Sequence, residues 1–460
     1  MIPGEAGTRL LAAVVLLAAL ACTRPSPVPT AVPSTPTPEI TPAATARPAI
    51  PAPTLRQTAT RVPSAPEAVN RIAFVGGDNQ IYTVDPDGSR LRRISPDPET
   101  PGLLAGYTWP AWSPDGRWLF MSAIIAKTQT QKSNNVAYVA DESSPEMDAL
   151  QIHADESGSQ GILPGVIHYP LWSPDGKAVV VLAATSDRLL AYLAKTDGSP
   201  SAAFFGGAPM YVAWSGDSRR LYLHQGERLL RFGFEPNFTS EFIGSSALYQ
   251  APAVTDGSDE RVAFLEDKGA SGADLIVVWP AEERRSVLMH VTGRSAFEWS
   301  PDGRLLAVTV SENNAALSYN ELLIADPESG DTRSLYQGPV ISFMWSPDGR
   351  RMLVAGLHPE REDAYRWSVL DIASGESTML GDWRPTQEFG EMLAFFGQFA
   401  KSHRLWSPDG RYVVLSGEPL TDDSKTTLGD LKEHLWVIDT TGKQEPRVVG
   451  AGYLGFWSPR

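Results

Sequence analysis

One short phrase constrains this chain more than any other feature: tryptophan, serine, proline, aspartate, glycine and a basic residue. It stands in full at Trp112, Trp172, Trp299, Trp345 and Trp406, and altered at Trp214 ("WSGDSR"). At Trp457 it breaks off as "WSPR", the last residues of the 460. A worn copy, "VTDGSDERVAFL", begins at Val254 midway between Trp214 and Trp299; counting it, successive steps are 60, 42, 40, 45, 46, 61 and 51 residues. Self-similarity at 40–50 residues is the period of a four-stranded β-propeller blade.

The local chemistry agrees. Proline presets φ for a turn, aspartate can bond the turn backbone, and glycine supplies the left-handed residue that closes a hairpin. Short β-type runs follow each turn: "WLFMSA", "AVVVLA", "LYLHQ", "LLAVTV", "MLVAGL" and "YVVLSG". A second run then ends in an acidic turn, as in "ELLIADPESG". Residues 71–95, "RIAFVGGDNQIYTVDPDGSRLRRIS", read as the second to fourth strands of a blade without a tryptophan strand. "GYLGFWSPR" at the C-terminus is a tryptophan strand with nothing after it. The expectation is an all-β chain, a single propeller of four-stranded blades closed by pairing of the C-terminal strand with the N-terminal blade. Counting second strands gives eight blades, with seven or six as alternatives. The repeat tryptophans read as structural, packing between neighbouring blades.

These repeats resemble the WD40-like propeller repeats of the TolB family, and related repeats occur in prolyl-oligopeptidase-type peptidases. The resemblance covers nearly all of 68–460 and implies fold; propellers host many unrelated activities. That family carries an α/β domain before a six-bladed ring, whereas here a proline-rich segment leads into the repeats.

Residues 10–21 form an apolar run after Arg9, of the length of a signal-peptide core and short for a membrane span. It ends in "ALAC", which resembles the lipobox of bacterial lipoproteins. The resemblance implies a signal peptide at 1–21 and a lipid on Cys22, the single cysteine. From Thr23 to Pro66 there are 12 prolines and 9 threonines, too little apolar surface to offset chain entropy. Residues 22–66 therefore read as a disordered tether and 67–460 as the propeller, in an extracytoplasmic, membrane-anchored protein.

The net charge of −15 argues against nucleic-acid binding. With one cysteine and scattered histidines, neither a metal nor another cofactor is expected. No nucleophile-elbow G-x-S-x-G is present. The longest steps carry extra residues at 125–135, 153–169, 381–404 and 417–434. In 381–404, Phe389, Met392, Leu393, Phe396 and Phe399 recur at spacings of three and four, the pattern of a short amphipathic helix. That helix either caps the propeller core or presents an apolar patch. Trp383, Phe389, Phe395, Phe396 and Phe399, with Asp422 and Asp423 as a charged rim, form the candidate partner surface. The function expected is a monomeric, non-enzymatic binding module for a protein or glycan at the cell envelope. The alternative is a hydrolase or lyase with acids at the central funnel.

Overall fold

The computed structural model describes residues 69–97, 103–127, 133–142, 149–155, 166–184, 189–197, 199, 201–207, 210–234, 239–246, 250–312, 318–420 and 433–460. Cys22, the proline-rich segment, Asp422 and Asp423 lie outside these residues.

The turn phrase builds itself from local hydrogen bonds. The Ser113 hydroxyl donates to Asp115 (2.5 Å), Asp115 accepts from the Arg117 amide, and Gly116 N–H donates to Ser113 O. The amide of Trp118, five residues on, donates to Ser113 Oγ at 2.9 Å. The same set recurs from Ser173, Ser215, Ser300, Ser346 and Ser407. Gly116, Gly176, Gly303, Gly349 and Gly410 have φ of 66–71°, and Ser218 takes that left-handed place in the altered copy at φ 62°. The worn copy keeps the logic, with Thr255 Oγ1 accepting from the Arg261 amide at 2.9 Å.

Strands β1 (Ile72–Gly76), β2 (Ile81–Val84) and β3 (Arg92–Arg93) come first. Four antiparallel sheets follow: β4 (Leu103–Trp112), β5 (Trp118–Lys127), β6 (Ser133–Asp141), β7 (Ala149–Asp155); β8 (Val166–Trp172), β9 (Ala178–Ala184), β10 (Leu189–Lys195), β11 (Ala202–Gly207); β12 (Met210–Trp214), β13 (Arg220–Gln225), β14 (Arg228–Gly233), β15 (Thr239–Ser245); β16 (Ala253–Val254), β17 (Val262–Asp267), β18 (Ala273–Trp279), β19 (Arg284–Val291). The rest join β1–β3 in a thirteen-stranded sheet: β20 (Ser295–Trp299), β21 (Leu306–Val310), β22 (Tyr319–Ala325), β23 (Thr332–Trp345), β24 (Arg351–Leu357), β25 (Tyr365–Asp371), β26 (Ser377–Pro385), β27 (Tyr412–Pro419), β28 (His434–Asp439) and β29 (Arg447–Trp457). Helices α1 (Gln387–Ala394) and α2 (Phe396–Phe399) separate β26 from β27. Second strands such as β9 are buried almost throughout and fourth strands such as β11 are exposed. Continuous burial of a strand requires cover on both faces.

The thirteen-stranded sheet is long because three strands each pair with one neighbour through their first part and another through their last; in β26 these are β25 through residues 377–383 and β27 through residues 383–385. β23 pairs with β22 through its first part and with β24 through its last. β29 pairs with β28 through residues 447–451, and with β1 through residues 452–457. The broken phrase at the C-terminus is thereby completed in space. Ser458 Oγ accepts from the Arg71 amide at 3.0 Å, and Ser458 N–H donates to Arg71 O. Arg71 thus stands where Trp118 stands relative to Ser113, although 387 residues separate it from Ser458.

The repeat tryptophans do more than fill space. Each indole N–H donates to the carbonyl just before the preceding repeat position: Trp172 to Ala111 (2.9 Å), Trp214 to Leu171 (3.2 Å), Trp299 to Ala253 (3.1 Å), Trp345 to Glu298 (3.1 Å) and Trp406 to Met344 (3.1 Å). Trp112 donates to Phe456 at 3.3 Å, joining β4 to the C-terminal strand. Val254 has no such donor, and Trp457 turns to Asn70 Oδ1 at 2.7 Å. A buried carbonyl without a partner is costly, so this link orients one sheet on the next as well as burying an aromatic ring.

Candidate functional site

The first strand expected at Trp406 is reduced to one bridge, Trp406 to Val413. Residues 386–405 take its place and run inward. Thr386 at the N-cap of α1 turns its hydroxyl to Tyr453 O at 2.5 Å. The apolar stripe then meets side chains from sheet after sheet. Phe389 stacks near Trp367 (6.0 Å), Phe396 packs edge-on to Phe343 (4.7 Å), and Phe399 stacks on Trp109 (5.0 Å) and meets Tyr169 edge-on (5.3 Å). Tyr169 donates its hydroxyl to Gln398 O at 2.5 Å. A bulge in β4 and a left-handed backbone at Trp109 (φ 53°) accompany this contact. The segment is a plug where the first strands converge.

This corrects the expected partner surface. Trp383, Phe389, Phe396 and Phe399 are buried, and Phe395 alone of the five aromatics is exposed. Trp383 packs against Trp436 at 5.4 Å. An apolar stripe at helical spacing marks a covered face, and here the protein's own sheets cover it. The rim residues Asp422 and Asp423 lie outside the described residues. Of the repeat tryptophans, Trp112, Trp172, Trp214, Trp299, Trp406 and Trp457 are buried and Trp345 is half-buried.

The C-terminal end of the segment is charged. The Lys401 ammonium lies 3.1 Å from Asp256 and 3.7 Å from Glu298, and donates to Val254 O. Burial pushes the Glu298 carboxyl up to about 7, against the pull of Lys401 and with some help from Asp256. Burial works to lower the Lys401 ammonium, but Glu298 and Asp256 outweigh it and hold it above its usual range. Arg404 is reached by solvent, yet surrounding protein desolvates its guanidinium enough to lower it, opposed by Asp256. Between Lys401 and Arg404, His403 is fully buried against Phe456 (4.4 Å), and burial pushes its imidazole down to about 3. It is a neutral core group with Nδ1 2.6 Å from Ser402 Oγ.

The plug's N-terminal end meets acids instead. Burial, together with Glu433 and Glu391, pushes the Glu388 carboxyl up to about 7. No group of three histidine, cysteine or acidic side chains among the described residues is arranged to hold a metal ion.

Motif spacing gives no sign of this charge cluster, though the repeat contains a signal for one of its members. The position before the repeat residue is Ala111, Leu171, Ala213, Ala253, Met344, Leu405 and Phe456 in the other copies, and Glu298 in one. A lone acid in an otherwise apolar register position marks that copy. Lys401, Arg404 and Asp256 carry no comparable signal.

No protein-family model matches the chain, and none of the curated proteins does. Solved structures do match. The dihydro-heme d1 dehydrogenase NirN in complex with DHE aligns over 86% of this chain and 78% of its own, at 16% identity and a TM-score of 0.50. TolB from Acinetobacter baumannii aligns over 75% and 83%, at 16% identity and a TM-score of 0.37. The β-propeller domain of the Trilobed protease from Pyrococcus furiosus aligns over 76% and 98%, at 13% identity and a TM-score of 0.42. The chain is all-β, and the solved structures that it matches include propeller proteins. At such identities the likeness concerns fold alone.

Proposed function

We propose that this protein is a lipid-anchored, extracytoplasmic β-propeller of eight blades, acting as a monomeric binding module for a protein or glycan at the cell envelope. First strands at Trp112, Trp172, Trp214, Val254, Trp299, Trp345, Trp406 and Trp457 make the eight, and the pairing of β29 with β1 closes the ring. Cys22 carries the lipid, and residues 23–66 hold the body away from the membrane. Partner contact falls at the charged end of the axis, where Lys401, Arg404, Glu298 and Asp256 gather, rather than on the buried aromatic stripe.

One observation carries the reading: Phe389, Phe396 and Phe399 pack against Trp367, Phe343, Trp109 and Tyr169, and Lys401 just beyond them meets Asp256 and Glu298. An enzyme site ordinarily encloses its substrate in a concave pocket. A filled axis favours a surface that grips an extended partner by its polar groups. The test is capture from membranes by the full chain, with Arg404→Glu and Asp256→Lys as comparisons. A partner held equally by wild type and both variants would place the binding surface elsewhere. Labelling with a fatty-acid analogue should mark the wild type and spare Cys22→Ser; equal labelling would end the lipid-anchor reading.

The enzymatic alternative rests on Glu298, whose carboxyl near 7 beside an ammonium suits general acid–base work. Turnover of an envelope glycan that disappears in Glu298→Gln, with binding intact, would favour it.

A further inference from the structure

Three departures of the repeat from its own pattern meet at one ammonium. The first place of the phrase is tryptophan in seven copies and Val254 in the worn one. The third place is proline in six copies, Gly216 in the altered one and Asp256 in the worn one. The place before the phrase is apolar in seven copies and Glu298 in the other. All three of these residues face Lys401. Its ammonium donates to Val254 O and to Asp256 Oδ1 at 3.1 Å, and lies 3.7 Å from Glu298 Oε1. An ammonium has three N–H donors and no acceptor, so a cluster of three oxygens, two of them on carboxyls, suits it.

This differs from an ordinary surface pair. Lys268 also lies between two acids, Glu266 at 2.8 Å and Asp274 at 3.4 Å, but those belong to the β17–β18 hairpin that carries it. The oxygens around Lys401 come from elsewhere in the chain, Val254 and Asp256 standing 147 and 145 residues away. Glu298 is 8% exposed, and Lys401 is its one ion-pair partner among the described residues. A carboxylate taken out of water needs a cation beside it, and losing that cation leaves a buried charge uncompensated. The side chain of Asp256 is 66% exposed, so the cluster opens to solvent on that side. The backbone on either side of Lys401 is fixed: Ala400 N–H donates to Phe396 O at 2.7 Å, and Ser402 and His403 N–H donate to Phe399 O at 3.0 and 2.9 Å. The oxygens are thus placed by the repeat, and a separate segment delivers the ammonium on a flexible four-carbon stem.

We propose that Val254 O, Asp256 and Glu298 form a binding site for a primary alkylammonium, and that Lys401 is its resident ligand, closing the site from within. The site goes beyond the binding-module reading and does not depend on it. A lysine side chain of another protein enters only when the Lys401 stem swings out past Asp256. Tethering gives Lys401 an effective concentration on the order of millimolar or above, so a free monoamine does not displace it.

The test is chemical rescue, read as the melting temperature of the full chain in detergent. Lys401→Ala removes three carbons and a nitrogen, the heavy atoms of propylammonium. Propylammonium chloride should raise the melting temperature of Lys401→Ala by at least about 1 °C over sodium chloride at equal ionic strength, because a ligand that binds only the folded state stabilises it. Propan-1-ol, which lacks the charge, and tetramethylammonium, which lacks N–H donors, should leave it unchanged. Propylammonium should also leave the wild type unchanged, since its site is filled. The rise should vanish when Asp256→Asn and Glu298→Gln are added to Lys401→Ala. No rise in a folded Lys401→Ala overturns the proposal, as does an equal rise with either control compound, in the wild type or in the triple variant. A rise with calcium chloride and none with propylammonium would make the cluster a metal site and overturns the ammonium assignment. If Lys401→Ala does not fold, Lys401→Met, which keeps the stem and loses the charge, replaces it. That variant should melt below the wild type, by less once Asp256→Asn and Glu298→Gln are added. A Lys401→Met protein as stable as the wild type, or a loss that the two acid substitutions do not reduce, overturns the site. Neither readout uses a partner, so the binding-module reading stands or falls separately.

Discussion

Replacing Phe399 by alanine tests whether residues 386–405 are a plug or a docking surface. The ring is almost fully buried and lies between Trp109 at 5.0 Å, Tyr169 at 5.3 Å and His403 at 5.2 Å. Removing a buried phenylalanine costs about 3–5 kcal/mol in lost transfer free energy and residual cavity. The upper half of that range applies here, because the surrounding groups cannot close the gap. Trp109 is held by its bulged, left-handed backbone, and Tyr169 by its hydrogen bond to Gln398. About 4 kcal/mol is a large share of the 5–15 kcal/mol by which folded proteins exceed their unfolded chains. Phe395, four residues earlier and 39% exposed, is the matched control, and its loss should cost less than about 1 kcal/mol. Urea unfolding followed by tryptophan fluorescence reads both. The Phe399→Ala midpoint should fall well below wild type, with Phe395→Ala close to it. Coincident midpoints for the two variants, or the larger loss at Phe395, would refute the plug. So would a Phe399→Ala protein of unchanged stability that has lost its partner. For the same reason, replacing 384–401 by a short glycine–serine turn should unfold the body rather than leave a folded body without a partner.

Deleting residues 452–460 removes Leu454, Phe456 and Trp457, each buried, and the whole β29–β1 pairing. Three such side chains contribute about 5–9 kcal/mol, so no cooperative melt should survive, and a melt at the wild-type temperature would disprove ring closure. Trp172→Phe removes the indole N–H, leaving the Ala111 carbonyl without that donor, and also part of a buried ring, so urea unfolding should show a loss of at least about 1–3 kcal/mol; a neutral result would show that the Trp172–Ala111 link contributes nothing to stability. Glu388 has a folded pKa of about 7 against an ordinary 4.5, so the folded state binds the extra proton between those values. Its contribution is therefore present at low pH and lost as pH rises toward and through 7. Glu388→Gln should flatten that slope and stabilise the protein by at most about 3 kcal/mol above pH 7, read from melts at pH 5 and pH 8. An unchanged slope would show that another group is responsible.

What could be read from the sequence is what short-range bonding controls. The serine, aspartate and glycine of each turn phrase meet partners two to five residues away, so the phrase specifies its hairpin wherever it occurs, even in the worn copy at Thr255. Hairpins fix strand order and register, and the period of the phrase then fixes the number of strands between repeats. Ser458 meets Arg71 through the same pair of bonds that Ser113 makes with Trp118, so the chemistry of the phrase is unchanged where its two halves are far apart in sequence. The destination of 386–405 was not legible. Its apolar spacing defines a face that must be covered, and that requirement is met equally by a second protein or by the chain's own sheets. Only the convergence of Trp109, Tyr169, Phe343 and Trp367, far apart in sequence, settles which. The charge cluster at Lys401 depends on tertiary structure even more completely. Lys401 and Val254 are 147 residues apart, and no local rule relates them. Coulombic and desolvation effects act through space, so the altered acidities of Glu298 and Lys401 come into being only once the sheets surround them.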